Sequence, residues 1–254
     1  EYIMNTKSSL ATSDIQACVG NYTEGRNGKK IGKITIHHSV IAKAKASDIA
    51  RVFTNPKRKA SANYCIGYTK GDICCSLYEE NRAWTSSNPE NDFEAITIEV
   101  ANSSVEHPYP VSDDTLENII ELCVDICKRY NFRLNWTGDK NGTLTIHRFF
   151  ANTQCPGEYL MGKMPYIAEE VNKRLDEANK PKEEEPIEEP KFKVGDKVKP
   201  LKLVNYNGTP LVQYDEVYII MEINGDRVVL GAPRGSKGTL EIWAAMNIND
   251  IEKI

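Results

Sequence analysis

Apolar residues along the first 175 positions follow two rhythms. Ile34 to His38 (ITIHH) and Ala95 to Val100 (AITIEV) are short β-branched runs and read as strands. Tyr64 to Ile66 and Ile73 to Leu77 flank Lys70-Gly71-Asp72, which predicts a hairpin. Leu116, Ile119, Ile120, Cys123, Val124 and Cys127 make one stripe at helical spacing. Ser112 is placed to cap that helix, with Asp113 and Asp114 in its first turn. Ser47 to Phe53 reads as a short helix and Pro165 to Leu175 as another. Thr143 to His147 follows a polar, Gly-bearing loop (NWTGDKNG). This mixture of strands and helices predicts an α/β domain over residues 1–175.

The rhythm stops at 176–191 (DEANKPKEEEPIEEPK). So few apolar residues cannot offset the entropy of ordering, and the prolines and like charges extend the chain; the segment reads as a linker. Residues 192–254 return to short strands, at Val194 to Lys199, Gln213 to Glu222 and Arg227 to Leu230. Asn224-Gly225-Asp226 marks a hairpin turn between the last two. A small closed all-β barrel is the expected fold there.

Composition changes this picture little. Apolar residues are 40% and charged residues 27%, an ordinary globular balance. A net charge of −4 argues against a nucleic-acid partner, which calls for a basic excess or stripe. No apolar run approaches the roughly 18 residues of a membrane span, so no membrane insertion is expected. The opening residues lack the pattern of a secretory signal, so synthesis in a bacterial cytoplasm is the expectation. The seven cysteines are odd in number, and Cys123 and Cys127 fall within the helical stripe; they read as reduced thiols.

Chemistry concentrates in two segments. The first strand ends in His37 and His38, and far downstream comes His147-Arg-Phe-Phe-Ala-Asn-Thr-Gln-Cys155-Pro-Gly. Three of the four histidines lie there. Two imidazoles and a thiolate are good zinc ligands, one short of a closed structural site, and three ligands with an open position suit a catalytic zinc. The plainer alternatives are a hydrogen-bonded histidine at a strand end and an inert buried thiol. Glu99 is out of character inside a buried strand, unless it and Thr97 share a solvated face.

ITIHHS, SANYCIG, NRAWTSSN, AITIEVAN and HRFFANTQCPG, in that order over roughly Ile31 to Leu175, resemble the zinc-dependent N-acetylmuramoyl-L-alanine amidases, the family of phage lysozyme-type amidases and peptidoglycan recognition proteins. The resemblance implies a mixed central sheet flanked by helices. It implies zinc held by His37, His147 and Cys155, with His38 turned to the other face of the strand. It also implies that Glu99 is the catalytic acid–base group. Many relatives carry a lysine where Thr153 stands; threonine offers only a neutral hydrogen bond to an oxyanion. Where some relatives have a catalytic tyrosine, the register gives Ala62, so Tyr64 is expected to pack. Asn63, Trp84 and Asn102 are expected to line the substrate groove. FKVGDKVK and WAAMNINDIEKI resemble SH3-like modules that anchor wall hydrolases, with Tyr206, Tyr214, Tyr218 and Trp243 as candidates for a binding face or for core packing.

The function so implied is that of a phage or prophage endolysin. It would cleave the amide between N-acetylmuramic acid and L-alanine in bacterial peptidoglycan, reaching the wall once the membrane is opened. A host autolysin of the same chemistry, a non-catalytic peptidoglycan-binding protein and a Cys–His wall peptidase with Cys155 as nucleophile are the alternatives.

Overall fold

The computed structural model describes residues 5–179, 190–233 and 239–254. The chain divides into two compact units, Glu1–Pro181 and Lys182–Ile254.

The first unit is built on a six-stranded mixed sheet. Its strands in chain order are β1 (Ser13–Asp14), β3 (Lys33–Ala42), β4 (Tyr64–Ile66), β5 (Ile73–Cys75), β7 (Ala95–Asn102) and β8 (Leu144–Ile146). Across the sheet the order is β1-β5-β4-β7-β3-β8. β4, β7, β3 and β8 run parallel, and β5 is antiparallel to β4, closing the expected hairpin. A separate ribbon pairs β2 (Tyr22–Thr23) with β6 (Arg82–Ala83). The β-branched runs at Ile34, Ile36, Ile96 and Ile98 are fully buried, as central strands covered on both faces require.

One face carries α3 (Asp113–Tyr130) and α4 (Glu158–Asn179), whose apolar stripes close over Ile34, Ile36, Ile96 and Ile98. The other face carries α1 (Ala46–Val52), where Ile49, Ala50 and Phe53 meet Cys65, Cys74 and Ala101. The short α2 (Pro89–Glu94) leads into β7. Ser112 caps α3 as expected, its Oγ accepting the Thr115 N–H at 3.0 Å, and Asn131 ends the helix in the left-handed region.

The expected start of the last helix at Pro165 is corrected. α4 begins at Glu158 and holds Pro165 inside it. Burial of Leu160, Met164, Ile167, Val171 and Leu175 on the sheet outweighs the amide hydrogen bond that proline cannot make. α4 also takes up 176–179 of the expected linker; residues 180–189 lie outside those described.

The second unit is a five-stranded antiparallel sheet in the order β12-β11-β10-β9-β13. Its strands are β9 (Lys197–Pro200), β10 (Tyr218–Asn224), β11 (Arg227–Pro233), β12 (Leu240–Asn247) and β13 (Ile251–Lys253). The Asn224 to Asp226 turn joins β10 and β11 as expected. Two expected strands start too early. Val194 is exposed ahead of Gly195 at φ 93°, and the Tyr218 hydroxyl accepts the N–H groups of Tyr214 and Asp215 in a turn. Tyr218 is buried and stacked on Trp243 at 4.0 Å, so these two pack, while Tyr206 and Tyr214 are exposed.

Candidate active site

The parallel register places the chemistry. His37 on β3 stands opposite Glu99 on β7, and Glu99 stands opposite Cys65 on β4. Alternation keeps Thr35, His37, Thr97 and Glu99 on the α1 face. That face is not solvated around Thr97, which is fully buried against Asn63 and Thr85. β8 then delivers His147 into a short 3-10 turn, His147–Phe149, and the loop after it returns Cys155 to the same point. Donor atoms of His37, His147 and Cys155 lie within 4.8 Å of one another, and the two imidazole centroids are 4.7 Å apart.

The state of these groups is informative. Both ring nitrogens of His37, and Nε2 of His147, are buried without a hydrogen-bond partner among the described residues. Such orphaned nitrogens are costly unless a ligand satisfies them. Burial holds the pKa of both imidazoles below the ordinary value, keeping them neutral, the form that binds metal. Burial pushes the Cys155 thiol up, with the Glu99 charge adding to it. The backbone N–H of His38 donates to Cys155 Sγ at 3.4 Å, a bond that favours the thiolate. Two neutral imidazoles and a thiol that a cation would deprotonate fit a divalent metal with N and S preference.

Glu99 has an Oε2 that is buried with no partner among the described residues, and burial pushes its carboxyl up to about 7 against a small opposing effect of Arg58. It lines both lobes of a groove that passes the triad. One lobe, of about 380 Å³, runs past Arg58, Lys59, Arg82, Trp84 and Asn88. The other, of about 290 Å³, runs past Val40, Ile41, Val52, Thr153 and Cys155. Phe53, Arg58, Glu99 and His147 border both.

The other expected site residues divide. Trp84 borders the groove half-buried, its Nε1 donating to Thr23 Oγ1 at 2.8 Å. Thr153 borders the second lobe, and its Oγ1 accepts the Cys155 N–H at 3.2 Å. Asn63 and Asn102 border neither lobe, which corrects their expected place on the groove wall. Asn63 is fully buried; its Oδ1 accepts the Thr97 N–H at 3.1 Å and its Nδ2 donates to the Leu77 and Asn81 carbonyls. Asn102 is fully buried beneath the rim, with Oδ1 accepting the Val40 N–H and Nδ2 donating to the Tyr109 carbonyl. An asparagine that could bind a ligand can equally satisfy buried backbone, and spacing does not distinguish the two.

His38 packs edge-on against Tyr109 at 5.0 Å. Tyr64 is buried, its hydroxyl bonded to Glu79 and to the Ser8 N–H, so it packs as expected. Arg58, Arg82 and Val40 were not legible as groove residues. Each sits in a turn or at a strand end with no periodic signal.

A mixed sheet that brings two histidines, a cysteine and a half-buried acid to one groove has the donor set of a metal site. Residues 27–158, just over half of the chain, match the family of N-acetylmuramoyl-L-alanine amidases. The chain belongs to that family and is a peptidoglycan amidase. No curated protein matches it in sequence. Among solved structures it is similar to PlyL, with TM-score 0.50 and 15% identity over 63% of this chain and 95% of that one. It is also similar to the catalytic domain of XlyA, with TM-score 0.49 and 17% identity over 63% and 99%. A third is the Staphylococcus aureus hydrolase AmiA in complex with its ligand, with TM-score 0.48 and 16% identity over 67% and 91%. At these identities the likeness concerns the fold alone. Among the described residues no helix is long and apolar enough to cross a membrane.

Proposed function

We propose that the protein is a zinc-dependent endolysin that hydrolyses the amide between the lactyl group of N-acetylmuramic acid and L-alanine. The observation that carries the reading is the convergence of three neutral or ionisable ligands within 4.8 Å, beside a carboxylate oxygen that has no other partner. His37, His147 and Cys155 would hold the metal. When bound, zinc polarises a carbonyl and acidifies water.

The remaining work falls to the chain. Glu99 takes the proton of the attacking water at Oε2 and hands it to the departing alanine nitrogen. A carboxyl with a raised pKa suits both transfers. The Thr153 hydroxyl can donate its proton to the developing oxyanion while its oxygen keeps the Cys155 N–H. Phe53, with Ile49 and Val52 of α1, walls the groove beside the ligands. A thiol pushed up by burial, whose described hydrogen bond comes from a backbone N–H, is a poor nucleophile, which disfavours the Cys–His peptidase. The second unit would act as an SH3-like wall-binding module, with the segment after α4 as a linker that raises the enzyme's effective concentration at the substrate.

Metal analysis and wall hydrolysis on the wild type, Cys155→Ser and Glu99→Gln test the reading. Stoichiometric zinc and chelator-sensitive release of L-alanine amino termini are expected, with both lost in Cys155→Ser. Metal-free protein with thiol-dependent cleavage would establish the peptidase instead.

A further inference from the structure

The rim of the second lobe is built under strain. β3 and β7 are in register at His38 and Val100 and return to register at Ala42 and Asn102, so residues 39–41 bulge from the sheet. Val40, inside the bulge, has φ 56°, in the left-handed region that β-branched residues avoid. Buried groups hold it there. Asn102 Oδ1 accepts the Val40 N–H at 3.1 Å, and the Asn102 carbonyl accepts the Lys43 N–H at 2.7 Å. Ser39 Oγ donates to the Val100 carbonyl at 3.0 Å. The strained residue is nonetheless apolar and 46% exposed, beside Ile41 at 37%. Neither burial nor backbone preference explains a valine at this position; asparagine or glycine would occupy it more easily.

The two lobes differ in charge. Beyond the residues they share, the first adds Lys59 and Arg82 against one acid, Asp92, whose buried carboxylate is taken up by the Thr85 and Ser86 N–H groups and the Ser86 hydroxyl, and Nε of Arg82 is buried without a hydrogen-bond partner among the described residues. The second adds no lysine or arginine, and its outer wall is Val40, Ile41 and Val52. The bond to be cut joins two unlike arms. The lactyl–sugar arm is neutral and carries a methyl group, whereas the stem peptide carries free carboxylates.

We propose that Val40 is a specificity-determining residue whose side chain contacts the lactyl–sugar arm in the aliphatic lobe, while the stem peptide lies in the cationic lobe. The assignment rests on the muramoyl–alanine bond being the substrate. The bulge places the valine methyl groups on the groove at the cost of local backbone strain, and Asn102 is the positioning residue beneath it.

The test uses the full-length Glu99→Gln protein, in which turnover is expected to be slow enough for binding to be read. Calorimetry compares an N-acetylmuramoyl tripeptide with the same free tripeptide. Val40→Ala and Val40→Asn are each expected to weaken the muramoyl ligand about tenfold, the order of one lost apolar contact, and to leave the free peptide unchanged. Val40→Asn is also expected to raise the thermal midpoint, because asparagine tolerates the left-handed region. Unaltered muramoyl affinity in Val40→Ala, or equal weakening of both ligands, would overturn the proposal alone. Failure of the protein with native Glu99 to release L-alanine termini from the muramoyl tripeptide would remove the substrate reading, and this proposal with it.

Discussion

Glu99 shows how much one position depends on its neighbours. It is a carboxylate on a central strand, opposite a histidine on one side and a cysteine on the other. Replacing it with glutamine keeps shape and ligands but removes the proton acceptor. The expected result is unchanged zinc content with a fall in kcat of about 10²–10⁴, read by single-turnover hydrolysis of purified wall. His37, His147, Cys155 and Glu99 stand out in the chain because histidine and cysteine are rare and a carboxylate is unusual inside an apolar strand, and the first three converge in space. Asn63 and Asn102 read from the sequence as groove residues. Each is fully buried and holds backbone, an outcome that depends on neighbours far away in sequence. Val40 gave no signal at all, since a valine near a strand looks ordinary until its φ is known.

At the scale of elements, the longer strands of the first unit and α3 are legible because their apolar spacing is strong, whereas the two-residue strands β1, β2 and β6 carry no such pattern. α4 was read too short because Pro165 looks like a start, and only the buried stripe beneath it shows otherwise. β12 and β13 carry weak alternation and emerge only through pairing with β11 and β9. One contact between elements was invisible in sequence. Glu79, fully buried between β5 and β6, receives two charge-assisted bonds from Arg129 of α3 and further bonds from the Tyr64 and Tyr130 hydroxyls. Arg129→Ala would leave a buried carboxylate without its cation. A loss of about 3–5 kcal/mol in denaturant unfolding is expected, toward the lower end because Arg129 is 28% exposed. Zinc content per folded molecule should not change, because this network does not touch the metal ligands.

At the scale of the whole molecule, the two units have separate cores, one around Ile34, Ile96 and Ile119 and the other around Val198, Tyr218 and Met246. Residues 1–181 are therefore expected to fold alone. They should cleave a soluble muramoyl peptide at the full-length rate but lose intact-wall activity by about tenfold or more, if the second unit anchors the enzyme. Turbidity loss of whole cells against release from the soluble peptide measures the difference.

The order of the sheet carries one more consequence. β8 is a three-residue edge strand held by β3 alone, and two of the three ligands arrive through it and the turn that follows. The metal would therefore rivet one margin of the sheet to its centre. Amide protons around 144–155 should exchange much faster after chelation, while those of β4 and β7, flanked on both sides, should scarcely respond. Loss of the ion would then open the molecule from one edge before any global unfolding.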